Sequence, residues 1–425
     1  MSKSKYIRKY PVFTEEMKKD YTILIPTMLP RHFKIMIGIM KSYGYNAVLL
    51  ENMGPDVITQ GLKYVHNDTC YPAQLVIGQM LDALESGKYD KHKVALMITQ
   101  TGGGCRASNY IHLLRKALEK AGYGYIPVIS LNFSGLEKEG AFKLTVPLVH
   151  RLLYAICYGD LMMNLVNQTK PYEKNIGDAE ALADAWTERL TSEMAQGKVS
   201  RKLAKQNYAK IIEDFAKIPK QGVPKPKVGI VGEIFVKFSP LGNNNLEDFL
   251  VSEGAEVVVP GLLDFCLYVV YNGVLDRKLY GRNRKSAIIY SMLIKFFQSY
   301  QMDLIKAIEN EGSFNAPMPF AKVPPLTEGI IGMGVKMGEG WLLTAEMIEL
   351  IHEGAKNIVC TQPFGCLPNH IVGKGMMKPI KERYPDANIV AIDYDSGATK
   401  INQENRIKLM LSTAVMSQDK RPMFK

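Results

Sequence analysis

The sequence predicts an α/β protein with two parallel-sheet units joined by helical segments. Short apolar runs alternate with longer helical patterns in residues 1–145 and again in residues 223–425, whereas residues 146–222 carry helical patterns alone. Such alternation is typical of a parallel sheet covered by helices. We therefore predict an N-terminal α/β domain, a helical segment and a C-terminal α/β domain with these boundaries.

The elements of the first unit follow one another regularly. Apolar runs predict strands at 21–28, 46–51, 93–99 and 126–132, and helical periodicity predicts helices at 31–44, 71–87 and 107–123. Pro72 in the first turn of one helix and Gly87 at its end agree with capping preferences.

The second unit repeats this alternation after a helical stretch at 140–215 and a Pro- and Lys-rich linker at 217–229. Strands are predicted at 228–233, 256–260, 357–361 and 388–395, and helices at 244–254, 340–355 and 373–384, with a largely helical insertion at 261–310. Both units are expected to be of the Rossmann or flavodoxin type.

Composition and charge indicate a globular protein and argue against membrane and nucleic-acid roles. The chain has 425 residues, 47% hydrophobic and 22% charged, which is a globular balance. No apolar run approaches the ~20 residues of a membrane span, and no signal core follows the basic N-terminus, so we expect a cytoplasmic protein. The net charge is +11, but Lys and Arg are scattered. They indicate a solvated face, or attraction to an anionic ligand or acidic partner, and argue against nucleic acid.

Six cysteines occur, at positions 70, 105, 157, 266, 360 and 366. In a reducing compartment, clustered cysteines are more often metal ligands or redox groups than disulfides. Cys157 and Cys266 lie in apolar helical patterns, where a free cysteine behaves as a small buried hydrophobe. We expect these two to be structural.

The other four cysteines lie near predicted strand ends or a helix start. Cys105 follows strand 93–99 across "QTGGG", Cys360 ends strand 357–361, Cys366 lies in the next loop, and Cys70 immediately precedes a helix. Ligands of open α/β sheets bind beyond the carboxyl ends of the strands. The sequence therefore predicts that these four side chains converge on one crevice.

The glycine-rich stretch "TGGGC" has more than one interpretation. It could cradle phosphate, although it lacks the Lys-Ser/Thr of a P-loop. Alternatively, its glycines let the backbone approach a bulky cluster and direct N–H groups at it. Zinc is a third option, but structural zinc sites usually use CxxC pairs, and the C-x5-C spacing of this chain is not one.

Polar residues near these cysteines are further candidates. Those predicted to bind a cofactor are Gln100, Gly103, Gly104, Asn109 and His370. His370 could instead satisfy a backbone group at a helix start. Lys374 is either an anion-binding or a solvated lysine, and Asp393 and Asp395 are expected mainly to cap a turn or helix.

Four long motifs at and between the cysteines resemble those of a known family. They are "NDTCYPAQLVIGQMLDAL", "TQTGGGCRASNY", "YGDLMMNL…KPYE" and "QPFGCLPNHIVGKGMMKPIK…ANIVAIDYDSGATKINQENRIKLML". Together they resemble the 2-hydroxyacyl-CoA dehydratase-like iron–sulfur proteins, in the branch of activase-related and double-cubane cluster proteins. The resemblance runs over nearly the whole chain.

The resemblance implies a cofactor and its ligands. In that family three cysteines per subunit hold a [4Fe-4S] cubane, which in some members pairs with a second one as a double cubane, [8Fe-9S]. By position the implied ligands are Cys70, Cys105 and Cys366, with Cys360 as a fourth candidate. Three thiolates leave one iron open to a substrate oxygen, a small inorganic molecule or a bridging sulfide.

The resemblance also implies an activity and partners. We expect ATP-dependent, low-potential electron transfer to a small-molecule substrate, or a component of a 2-hydroxyacyl-CoA dehydratase-like lyase. A separate ATP-hydrolysing activator iron–sulfur protein is the expected partner, since no "DxGS" phosphate-binding pattern follows a strand here. A homodimer is expected, because relatives are two-subunit assemblies and helix 261–272 is apolar. The alternative is a non-catalytic iron–sulfur scaffold, storage or maturation protein.

Overall fold

A four-stranded parallel sheet forms the first unit of the computed structural model, which describes residues 10–100, 104–131, 140–281 and 283–419. Its elements are α1 Met17–Asp20, β1 Thr22–Ile25, α2 Pro30–Ser42, β2 Asn46–Leu49, α3 Pro55–Tyr64, α4 Tyr71–Glu85, β3 Val94–Thr99, α5 Tyr110–Lys120 and β4 Val128–Leu131. A 3-10 helix, Arg106–Asn109, precedes α5. The strand order is β2-β1-β3-β4. The order reverses at β1 and β3, where sheets of this kind open a crevice.

Three long helices follow the first sheet. They are α6 Val146–Thr169, α7 Asp178–Ala195 and α8 Arg201–Ala216. The side chain of Thr145 caps α6, and that of Ser200 caps α8, each accepting a backbone N–H of the first turn. Such caps fix where each helix begins.

The second unit has the same sheet order with more helices. Its elements are β5 Lys227–Gly232, α9 Ile234–Phe238, α10 Pro240–Asn243, α11 Leu246–Ser252, β6 Glu256–Val258, α12 Leu262–Tyr280, α13 Arg284–Glu311, α14 Gly340–His352, β7 Asn357–Pro363, α15 Leu367–Val372, α16 Met377–Arg383, β8 Asn388–Tyr394 and α17 Lys400–Asp419. The parallel sheet runs β6-β5-β7-β8. Its switch point lies between β5 and β7.

The predicted α/β class with two parallel-sheet units is confirmed, and the differences are local. The helices α3 and α17 and the short helices α1, α9 and α10 were not predicted, and α15 lies in residues 362–372, which were expected to form a loop. Six residues are too few to display a helical period. The predicted helix 373–384 is a 3-10 turn at 374–376 followed by α16. The buried positions of α17 do recur at helical spacing, so that signal was present.

The helical layer draws on two separate parts of the chain. Helices α12 and α13 contribute Leu267 and Leu304 to the same apolar cluster as Leu161 of α6 and Ile211 of α8. Burial of this shared surface joins the two halves of the chain. Across the described ranges, no helix combines the length and the apolar character that a bilayer span requires.

Candidate functional site

Three of the predicted cysteines stand at the starts of helices. Cys70 is the N-cap of α4, Cys105 that of the 3-10 helix Arg106–Asn109, and Cys366 that of α15. The first backbone N–H groups of a helix have no intrahelical partner. Each sulfur therefore lies beside N–H groups that can stabilise negative charge on it.

The loops that carry Cys70 and Cys366 are in direct backbone contact. The N–H of Tyr71 donates to the carbonyl oxygen of Phe364 at 3.0 Å. Gly365 has φ +73°, and a Cβ built on it would lie 3.0 Å from the Cα of Cys70. Glycine is thus required here both for its backbone angle and for the close approach.

The turn that carries Cys105 approaches the second unit from the other side. The N–H of Gly104 donates to Sδ of Met337 at 3.0 Å. After burial and other influences, the charge of Cys70 raises the pKa of Cys105, and that of Cys105 raises the pKa of Cys366. The fold therefore brings Cys105 within electrostatic range of both Cys70 and Cys366.

Burial governs the protonation of these thiols. It raises the pKa of Cys105 to about 11 and that of Cys366 much further, and it also raises the pKa of Cys70. One backbone N–H group partly lowers the pKa of each thiol, namely that of Ala73 for Cys70, Ala107 for Cys105 and Asn369 for Cys366. None of these N–H groups reaches the geometry of a side-chain cap hydrogen bond. The three thiols are therefore protonated until a positively charged group lies among them.

Two buried carboxyl groups border the cysteines, and sequence reasoning missed both. Glu233 directly follows β5, and Glu339 precedes α14; their charges raise the pKa of Cys105 and Cys366. Oε1 of Glu339 accepts the N–H of Ile234 at 2.9 Å, while its Oε2 has no partner among the described residues. A carboxylate at the carboxyl end of the predicted strand 228–233 was the available signal.

Gln100 and Tyr110 support the cysteine loops from within. Nε2 of Gln100 donates to the carbonyl oxygen of Ser108 at 2.8 Å, and its Oε1 accepts the hydroxyl of Ser130 at 2.7 Å. The buried hydroxyl of Tyr110 lies 3.1 Å from Sγ of Cys70. Gln100, predicted to bind a cofactor, thus ties the end of β3 to the turn after Cys105.

Cys360 occupies a different environment from the other three candidates. It is fully buried on β7, its Sγ accepts Nε2 of Gln362 at 3.0 Å, and a Cβ on Gly373 would lie 3.0 Å from that sulfur. Oε1 of Gln362 and Nδ2 of Asn369 are buried without hydrogen-bond partners in the described part of the chain. Cys360 therefore packs in an apolar core cluster, next to the buried side chain of Gln362.

The remaining predicted residues are more peripheral. Asn109 is exposed at the end of its 3-10 helix, and Gly104 is exposed where it meets the second unit. His370 is half-buried in the last turn of α15, not at a helix start, and its N–H donates to the carbonyl oxygen of Cys366 at 3.2 Å. Gly103 lies outside the described residues.

The charged residues after β7 and on β8 have structural partners. Nζ of Lys374 lies 3.7 Å from Oδ2 of Asp393, and both side chains are about half exposed. Oδ1 of Asp395 accepts the N–H of Gly397, which closes the turn after β8. This is the turn-capping role expected for an aspartate there.

Cys157 and Cys266 pack in the helical layer. They lie on α6 and α12 within one apolar cluster, and Cys157 is fully buried. Burial raises the pKa of Cys266 to about 12. Both surroundings are those of inert thiols.

The crevice carries thiol, N–H and carboxylate groups. Ligands of a single zinc lie within about 2.3 Å of it. In the described ranges, no three His, Cys, Asp or Glu side chains are grouped to hold a single metal ion. Three protonated thiols, nearby N–H groups and an unpaired Oε2 of Glu339 remain around the crevice. Thiol sulfurs with neighbouring N–H groups are the donors by which proteins hold iron–sulfur clusters.

Comparison with known proteins adds no family assignment. The chain matches no protein-family model, and no curated protein matches it.

Proposed function

We propose that the chain holds an iron–sulfur cluster on Cys70, Cys105 and Cys366 and passes low-potential electrons to a small-molecule substrate. One observation supports the proposal: the three cysteines occupy the N-cap positions of three helices drawn from both units, and Cys105 lies within electrostatic range of the other two. The three loops are far apart in the sequence, so no local pattern brings them together. Only the contact between the two sheet units does so.

The residues around the crevice have separable tasks. The three thiolates would hold the cluster, and a [4Fe-4S] or [8Fe-9S] group would supply one-electron chemistry at low potential. The hydroxyl of Tyr110 and the backbone N–H groups beside the sulfurs stabilise negative charge on them. Cys70 and Cys366 are 5% and 7% exposed, so the fold excludes water from their sulfurs. Cys360 packs beneath, outside the ligand set we propose.

The proposed activity requires an electron donor. We propose a separate ATP-hydrolysing activator iron–sulfur protein as the electron donor, and a reductase or 2-hydroxyacyl-CoA dehydratase-like reaction as the outcome. The six cysteines are free, which supports a reducing, cytoplasmic setting. Exposed apolar side chains on α13 support a homodimer.

Iron and sulfide counts on anaerobic protein test the proposal. Replacing Cys70, Cys105 or Cys366 with Ala should remove most of the iron, because each variant loses one of three cluster ligands. Cys157→Ala is the matched control and should keep its iron, since that thiol lies in the helical layer. Equal iron loss in the control and in Cys105→Ala would refute the assigned ligands.

A second measurement separates an enzyme from a scaffold. Iron-loaded protein is mixed with the activator, ATP and a strong reductant, and substrate turnover is followed. Turnover is expected for an electron-transfer enzyme. Transfer of the intact cluster to an apo-acceptor without turnover would instead identify the scaffold alternative.

A further inference from the structure

The junction between α12 and α13 is strongly basic. Lys and Arg are scattered over the chain as a whole, but residues 277–302 contain six of them and no Asp or Glu. Five of the six fall within nine positions, 277–285, which we call the basic junction. The four that the structure describes are all exposed: Arg277, Lys278, Arg284 and Lys285. Such a concentration of one sign of charge attracts partners of the opposite sign.

Acidic side chains leave the basic junction uncompensated. Asp276 directly precedes it, but this carboxylate is buried and forms an ion pair with Nζ of Lys336. Among the residues that the structure describes, Lys278, Arg284 and Lys285 form no ion pair. The junction therefore presents positive charge to the solvent, where a partner can meet it.

The basic junction lies next to the loop that reaches the cysteines. The hydroxyl of Tyr280 donates to the carbonyl oxygen of Gly334 at 3.4 Å. Met337 follows three residues later, and its Sδ accepts the N–H of Gly104, next to Cys105. Three residues of chain span at most about 11 Å. The junction and the turn of Cys105 therefore border the same short loop.

Apolar side chains are exposed between the basic junction and the crevice. Tyr280 is 57% exposed, Met337 44%, and Leu367, the first residue of α15, 69%. A Cβ built on Gly338 would lie 3.2 Å from Cβ of Pro368, so the loop also touches the start of α15. An apolar centre with a polar rim is the usual anatomy of a protein–protein interface.

Of the three proposed cluster ligands, Cys105 is the most exposed. It is partly buried, whereas Cys70 and Cys366 are buried. Arg106 follows it, is exposed, and adds positive charge beside this thiol. Because electron tunnelling weakens steeply with distance, a donor must dock where the cluster is closest to the surface. The region that meets this condition is called the docking surface, and its members are Arg106, Lys278, Tyr280, Lys285, Met337 and Leu367.

We propose that the docking surface receives an electron-donor protein whose own contact face is acidic. The inference rests on the proposed function, because that function brings electrons to the crevice. One electron leaves the reduced iron–sulfur group of the donor and enters the cluster of this chain, and no covalent bond or proton is exchanged. Opposite charges steer the encounter, while the small apolar centre keeps the complex weak enough for the oxidised donor to leave.

Nucleic acid and an anionic bilayer are also attracted by basic side chains. The position of the docking surface favours the donor protein over both, because the surface includes the loop that contacts the turn of Cys105. A polyanion held by charge alone has no need of that contact or of the exposed Tyr280, Met337 and Leu367.

The first test uses iron-free protein and an oxidised, acidic plant-type ferredoxin as the probe. Calorimetric titration at low salt should show a complex that weakens as salt is added, because salt screens exposed charges. The double variant Lys278→Glu, Lys285→Glu should bind the ferredoxin about tenfold more weakly or worse.

Lys88→Glu combined with Lys93→Glu is the matched control. It makes the same change of net charge with two exposed lysines just before β3, at the edge of the sheet opposite to the turn of Cys105. The control should bind the ferredoxin as the parent does. An equal loss of binding in the two double variants would show that net charge alone holds the probe, and would overturn the docking surface.

The second test follows cluster reduction in iron-loaded protein by two viologen radicals of opposite charge. Methyl viologen radical is positive, and sulfonatopropyl viologen radical is negative. The parent and the Lys88, Lys93 control should be reduced faster by the negative radical at low salt, and added salt should remove the preference. Lys278→Glu, Lys285→Glu should slow the negative radical about tenfold at low salt. An unchanged preference in that variant would place electron entry elsewhere and overturn the proposal.

The remaining outcomes separate the docking surface from other roles and from the proposed function. Binding of a DNA fragment or of anionic vesicles at physiological salt, abolished in Lys278→Glu, Lys285→Glu while its reduction rates stay parental, would assign the surface to a polyanion instead. A single-chain mass for that variant, with a dimeric parent, would assign it to contact between copies. Protein that never loads iron would refute the proposed function. Ferredoxin binding that depends on Lys278 and Lys285 would then still uphold the surface, and its absence would overturn both.

Discussion

At the scale of single residues, the close contact at Gly365 links the two halves of the cysteine site. Its φ of +73° and the 3.0 Å approach of a built Cβ to the Cα of Cys70 leave no space for a side chain. Gly254 has a similar φ of +86° but meets nothing within 4 Å of a built Cβ. Comparing Ala substitutions at Gly365 and Gly254 therefore separates the cost of a positive φ from the steric effect of the contact with Cys70.

Gly365→Ala should destabilise the protein more than Gly254→Ala does. The control costs about 1–2 kcal/mol, because a side chain disfavours the left-handed region. Gly365→Ala adds a steric clash that moves the Cys70 loop, so it should also lose iron. Urea unfolding and iron analysis of both variants measure this. Equal free energies of unfolding for the two variants would contradict the contact.

At the scale of secondary-structure elements, short helices place the reactive groups. Glu233 is the N-cap of the five-residue helix α9, and its side chain accepts the N–H of Val236. Burial, followed by the charge of Glu339, raises the pKa of Glu233 from 4.5 to about 8. Glu233 thus caps α9, while its buried carboxyl group resists ionisation.

Glu233→Gln should flatten the pH dependence of stability. An acid whose folded pKa is raised stabilises the fold when protonated, fully below about pH 4.5, and this is lost as the pH rises through about 8. The parent should therefore lose stability across this interval, with a slope of at most about 1.4 kcal/mol per pH unit from this group. The variant should lose less.

Chemical unfolding at several pH values between 5 and 8 tests this. Glu213→Gln is the control, because Glu213 is exposed and the hydrogen bond from Lys217 lowers its pKa. The control should keep the parental slope in this interval. A parental slope in Glu233→Gln would show that Glu233 is ionised in the fold.

At the scale of the whole molecule, one surface stands out as apolar. The first half of α13 exposes a dense group of side chains, namely Ile288, Ile289, Tyr290, Met292, Leu293 and Phe296. Isolated exposed apolar residues are ordinary, but a contiguous patch usually marks an interface. A second copy of the chain is the occupant we expect, since closed two-fold assemblies are the commonest oligomers.

Light scattering at micromolar concentration should report twice the 47.6 kDa chain mass. Ile289→Lys should shift the mass towards that of one chain, because a buried unpaired charge opposes association. Ile176→Lys is the control, as Ile176 is 98% exposed and lies between α6 and α7. A single-chain mass for the parent would exclude the homodimer.

Local sequence patterns were sufficient to predict the class of the fold. Apolar runs and helical periods are local signals, so they predicted all eight strands with small boundary differences. Because ligands of such sheets gather beyond the strand ends, the same patterns make Cys105 and Cys366 candidate ligands. Short helices such as α15 were missed because few residues carry too little periodicity.

Which groups meet depends on the packing of segments that are distant in the sequence. Cys70 and Cys366 are brought together by backbone contact between loops nearly three hundred residues apart, a distance over which no local pattern carries information. Packing also places Cys360 in an apolar core cluster and brings Glu233 and Glu339 near Cys105 and Cys366. In sequence, a glutamate in an apolar helix is indistinguishable from a solvated one. Whether a glutamate is buried without a counter-charge is a property of the packed interior.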